Sequence, residues 1–72
     1  MAETTVPSEL NATVWKIEVA VGDRVSEGDT LMILESMKME IPVDAPRDGV
    51  VKAILVKEEQ AVKEGEALAS LE

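Results

Sequence analysis

The sequence predicts an all-β fold, a flattened antiparallel barrel or sandwich, on three observations. Ten Val and four Ile are stiff at the first side-chain torsion and suit a pleated surface. Apolar runs are short and broken by turn signals such as Val21-Gly22-Asp23 and Glu27-Gly28-Asp29, the punctuation expected between short strands. The two halves of the chain also resemble each other. An offset of 37 lays Gly28 on Gly65. It also brings Val14 to Val51, Ile17 to Ile54, Val19 to Val56, Val25 to Val62, Leu31 to Leu68 and Leu34 to Leu71 without a gap. Two half-domains of short strands imply an approximate two-fold axis through a sandwich.

Taken in order, residues 1–9 read as an N-terminal extension and residues 10–72 as the domain. Thr13 to Val19 is a strand. Val25 stands alone between two turns. Leu31 to Leu34 is an apolar run of strand length. From Met39 to Val43 the chain alternates, apolar at 39, 41 and 43. Pro42 has no amide hydrogen, so this strand needs an edge or a bulge. Ala45 to Gly49 is a loop, and Val50 to Val56 a longer strand. Lys57 to Leu71 contains good helix formers. Gly65 interrupts them, however, and the apolar residues keep no single face. The repeat makes this segment strands instead. Positions 14 and 17, like 31 and 34, are three apart, so a bulge or twist reversal is expected in each. The matched apolar pairs form the expected core. Trp15 aligns with Lys52, which favours an exposed ring and a contact patch. The small core favours the opposite, a ring that fills it.

Composition narrows the function. A chain of 72 residues makes one domain and buries only about 60% of its unfolded surface. It has no Cys and no His, which excludes disulfides, thiolate nucleophiles and Cys/His metal sites. A net charge of −8 repels phosphate backbones, and one aromatic residue offers bases no stacking platform. No run is long or apolar enough to span a bilayer, and the N-terminus lacks the pattern of a secretory signal. The expectation is a small acidic cytoplasmic domain that is not an enzyme by itself.

The segment from Ser36 to about Asp48 finds no counterpart at the offset. It follows Glu35 and begins Ser36-Met37-Lys38-Met39-Glu40, with Lys38 almost midway along the chain. A tight hairpin puts Met37 and Lys38 at its tip. Such tips need positive φ and prefer Asn-Gly or Asp-Gly. A local rule broken at one exposed spot points to function. The plain alternative is a surface lysine between methionines that fill core gaps.

Glu35 to Glu40, with Val21-Gly22-Asp23, Val25 and Gly28, and with Ala45-Pro46, Gly49 and Val51, resembles the biotin-attachment domain of the biotinyl/lipoyl carrier family. The resemblance runs from about Leu10 to Glu72 and is strongest to small free-standing bacterial biotin carriers. It implies two four-stranded sheets with Lys38 on a hairpin tip. It also implies that a biotin protein ligase joins biotin to Lys38, and that the arm then carries carboxybiotin from a biotin carboxylase to a carboxyltransferase. A free lysine has a pKa near about 10.4, so on the order of one in 10³ is neutral at pH 7; with no histidine in the carrier, the ligase must supply the base. In this reading Met37 and Met39 touch successive partners, Met39 alternatively packing into the core. Glu35 and Glu40 steer basic partner surfaces, although Glu35 has a twin in Glu72, which argues for a merely solvated role. Ser36 stands where many members have Ala, and Ala12 where many have Gly. The chain has no room for the protruding thumb of some carriers. An isolated monomer is expected, with neither nucleic acid nor membrane as partner. The rivals are a lipoyl carrier, whose lysine usually lies between Asp and Ala, and an unmodified adaptor of the same fold. An enzyme built on Ser36 would lack a histidine partner.

Overall fold

The computed structural model describes residues 3–72; Met1 and Ala2 lie outside the described residues. Eight strands follow in order: β1 (Thr4–Pro7), β2 (Ala12–Ile17), β3 (Arg24–Val25), β4 (Thr30–Ser36), β5 (Met39–Asp44), β6 (Gly49–Ile54), β7 (Ala61–Val62) and β8 (Ala67–Leu71). They build two four-stranded sheets, ordered β1-β8-β6-β3 and β5-β4-β2-β7. All pairings are antiparallel. The stretch from Lys57 to Leu71 is strand and turn, as the repeat requires.

The two-fold symmetry extends further than the residue matches indicate. At the same offset β2 falls on β6, β3 on β7, β4 on β8, and β1 on the second part of β5. The pairings follow suit. Thr4 faces Leu71 as Ile41 faces Leu34, and Val6 faces Ala69 as Val43 faces Met32. The turns match atom for atom. Gly28 N–H donates to the Ala45 carbonyl (2.9 Å), and Gly65 N–H to the Ser8 carbonyl (2.7 Å). Glu27 N–H donates to Asp48 Oδ1 (2.7 Å), and Glu64 N–H to Asn11 Oδ1 (2.8 Å). Two expectations are therefore corrected. Thr4–Pro7 is not an extension but the edge strand that mirrors β5, and residues 41–48 do have a counterpart, in residues 4–11. Sequence identity fails across this pair because edge strands and loops bury few side chains.

The spacing of three at positions 14/17 and 31/34 has the expected cause. Register shifts between Val14 and Lys16 and between Val51 and Ala53, leaving Trp15 and Lys52 as the extra residues. It shifts again at Leu31 and, on the mate strand, at Leu68. A bulge places two consecutive side chains on one side of a sheet. Leu31 and Met32 therefore both point inward, each fully buried. Trp15 is turned out instead, 44% exposed, so the core does without its ring. Pro42 lies on β5, an edge strand, where its missing donor costs no ladder bond.

The core is two clusters exchanged by the axis. One holds Val14, Met32, Leu34, Val56, Val62, Leu68 and Ala69; the other Val6, Val25, Leu31, Ala45, Val51 and Leu71. Met32 and its mate Ala69 share one cluster, which only residues beside the axis can do. A large side chain there faces a small one. Burying a Leu of this kind stabilises by roughly 1.5–3 kcal/mol. Ile17, Val19 and Ile54, expected in the core, are only half-buried and pack at its margin. Val6 belongs to the core because β1 belongs to the sheet. Ala12 is unstrained, since neither it nor its mate Gly49 has positive φ. Gly49 is required by closeness, because a Cβ there would lie 2.9 Å from the Glu72 carbonyl.

One turn breaks the symmetry at a cost. Gly22 adopts φ 97° and its mate Glu59 φ 71°. Both amides donate to the mate strand, Gly22 to Val51 and Glu59 to Val14. A side chain in the left-handed region costs roughly 1–2 kcal/mol, and glycine avoids most of that. Glu59→Gly is therefore expected to raise unfolding stability by about 1 kcal/mol. Urea denaturation followed by Trp15 fluorescence would measure it, and an unchanged or lower midpoint would refute the assignment of strain.

Candidate functional site

The long β4–β5 pair carries the site. Its register runs Leu34 to Ile41, Glu35 to Glu40 and Ser36 to Met39, which leaves Met37 and Lys38 as the two turn residues. Both have positive φ, 53° and 67°, the pair of values a type I′ turn demands. The turn matches the right-handed twist of its strands, so the hairpin stays straight to its end. The molecule is correspondingly elongated, 36 × 18 × 17 Å.

All six residues singled out from the sequence lie together on this hairpin. Glu35, Met37, Lys38, Met39 and Glu40 are exposed, and Ser36 is half-buried. Met37 is 92% exposed and Met39 65%, so neither fills the core; Met32 does that work. Two methionines on a tip, well away from the core, are adaptable apolar surface. Glu35 and Glu40 lie directly opposite each other, and like charges so placed destabilise a sheet. Among the described residues no carboxylate comes within salt-bridge distance of the Lys38 amine. The lysine is thus held out on a rigid two-strand arm, beside acidic groups but bonded to none. An amine so presented can enter a partner's cleft without first breaking a contact. The sequence signal failed to mark Ile33 and Pro42, which the register sets side by side behind the tip.

The biotin/lipoyl family model, described as "Biotin-requiring enzyme", matches residues 3–71. The chain belongs to this family. It is 45% identical to a biotin/lipoyl attachment protein of Bacillus subtilis, over 93% of this chain and 92% of that one. It is 44% identical to a biotin carboxyl carrier protein of Streptococcus mutans, over 97% of this chain and 54% of that one. In three dimensions it superposes on part of the Kluyveromyces lactis urea carboxylase with a TM-score of 0.94 at 36% identity. The match covers all of this chain and 6% of the carboxylase. The family member seen here therefore corresponds to nearly a whole small protein in one relative and to a single module in another.

The strain at the tip of this biotin/lipoyl domain is measurable. Two non-glycine residues in the left-handed region cost roughly 1–2 kcal/mol each, and Asn-Gly is the favoured pair. Met37→Asn with Lys38→Gly is expected to stabilise the domain by at least about 1 kcal/mol. Guanidinium unfolding of the double variant tests this, and a lowered midpoint would contradict it.

Proposed function

We propose that this chain is a biotin carboxyl carrier whose Lys38 bears the biotin. The observation that carries the reading is a strained two-residue turn, in a biotin-requiring family, that spends its tip on a lysine where Asn-Gly would be more stable. Such a violation at one exposed point is characteristic of function. The flanking Met37 and Met39 favour biotin over a lipoyl group, and Ser36 is small enough to leave the turn uncrowded.

The chemistry is acyl transfer. The Lys38 Nζ lone pair attacks the carbonyl of an activated biotinyl-adenylate held by a biotin protein ligase. An amide forms, AMP leaves, and the amine loses a proton to a base of the ligase. The carrier contributes access and a fixed approach. Biotin, once attached, supplies a ring nitrogen that accepts a carboxyl group; the carrier's own residues hold the arm and present it to partners. Tethering raises the effective concentration of the carried group at each partner. The partners are a biotin carboxylase and a carboxyltransferase. Glu35 and Glu40 meet basic partner surfaces, and Met37 and Met39 adapt to each in turn. The isolated chain is a monomer.

Expression with a biotin protein ligase should add one biotinyl group by intact mass. Lys38→Ala should abolish the addition, while Lys16, Lys52, Lys57 and Lys63 stay unmodified. A lipoyl increment, or biotin retained on Lys38→Ala, would overturn the reading.

A further inference from the structure

The two-fold axis gives every position an internal control 37 residues away, and one patch departs from its control. Met32 and Leu34 point into the core, so Ile33 between them faces outward. Ile33 pairs with Pro42 on one side and Lys16 on the other. Trp15 is the extra residue of the bulge at that point, and the Lys16 amine lies 5.7 Å from its ring centre. Pro42, Ile33 and Trp15 therefore form an apolar row across β5, β4 and β2. The corresponding residues on the other sheet are Thr5, Ser70 and Lys52, all polar. Lys52 there pairs with Glu3 at 3.1 Å, and that hydrogen bond and charge hold the Glu3 carboxyl below the usual carboxylate range. Glu40 is the counterpart of Glu3, and Trp15 stands where its cation would be. The framework is the same on both faces, but only the face that carries Lys38 has the apolar row.

Resting on the reading of Lys38 as the biotinylated residue, we infer that this row is the docking surface for the ligase that modifies it. Between the row and the tip lies the acidic rung of Glu35 and Glu40. The complement of such a surface is an apolar slot bordered by Arg or Lys side chains. A net charge of −8 weighs against a second copy of this chain, and against an anionic membrane, as occupant. Reach selects among partner enzymes. An unmodified lysine extends only by its four-carbon stem, so the enzyme that acylates it must close onto the strands behind the tip. Three residues separate the tip from the row, four strand steps or roughly 13 Å. A standard interface of about 800 Å² per side centred on the tip covers it. Later partners meet an arm lengthened by biotin and need no such approach. Trp is also the residue most enriched where interfaces concentrate their energy.

The experiment is steady-state biotinylation by a biotin protein ligase at varied carrier concentration. Trp15→Lys copies the residue that the opposite bulge already carries, so the backbone tolerates it. Its KM for the carrier should rise about tenfold or more with kcat unchanged, because Lys38 is untouched. Adding Ile33→Ser and Pro42→Thr, which completes the copy, should raise KM further. Pro42→Thr alone, at an exposed edge, should give about a threefold rise if the triple variant does not fold. Lys52→Trp, on the opposite face, should leave KM as in the wild type. Wild-type KM in Trp15→Lys and Pro42→Thr would overturn the docking surface alone, as would an equal rise from Lys52→Trp. A wild-type chain that takes no biotin would overturn the functional reading and this inference with it.

Discussion

Neither half of this chain can close its own sheet, and the rest of the structure depends on that interlock. β3 comes from the first half but borders β6 of the second, and β7 from the second half borders β2 of the first. The turns are tied across the same divide, Glu27 to Asp48 and Glu64 to Asn11. Each half therefore supplies hydrogen-bond partners the other lacks, and the core forms only when both are present. A 72-residue chain has little apolar area to spare. Swapped edges let it enclose two clusters with short strands and no helix among the described residues.

That rigidity is what makes a strained tip tolerable. Positive φ at Met37 and Lys38 costs stability locally, and the like charges of Glu35 and Glu40 add to it. The six-rung pairing of β4 with β5 holds the turn in place regardless. A looser hairpin would relax to an easier turn and carry the lysine with it. The exposed lysine thus sits at the end of a long strand pair that can hold an unfavourable backbone.

The symmetry also separates structure from function. Most positions that bury side chains keep their identity across the axis, as Val14 and Val51 or Leu34 and Leu71 do, with Met32 and Ala69 beside the axis and Ser8 and Ala45 as exceptions. Surface positions diverge freely: Trp15, Ile33 and Pro42 replace polar mates on the face that carries Lys38, and the exposed Val21 and Leu55 stand opposite Glu58 and Glu18 outside that row. The bulges are structural and shared. What they display, a ring on one side and an ion-paired lysine on the other, is individual.

The all-β class, most of the core, the bulges and the hairpin with Lys38 at its tip were legible in the sequence. Each depends on local pattern: β-branched runs, glycine turns, spacing of three, and a repeat in the buried residues. The motif from Glu35 to Glu40 is contiguous, so the six residues of the tip could be read from it, while Ile33 behind them could not. The place of β1 was not legible. Its match to β5 is held by backbone hydrogen bonds, and these leave almost no mark on side-chain identity. Nor could local pattern decide whether Trp15 filled the core or faced water. Only the tertiary structure did so, because the bulge turns residue 15 outward and Met32 and Ala69 already occupy the space at the axis.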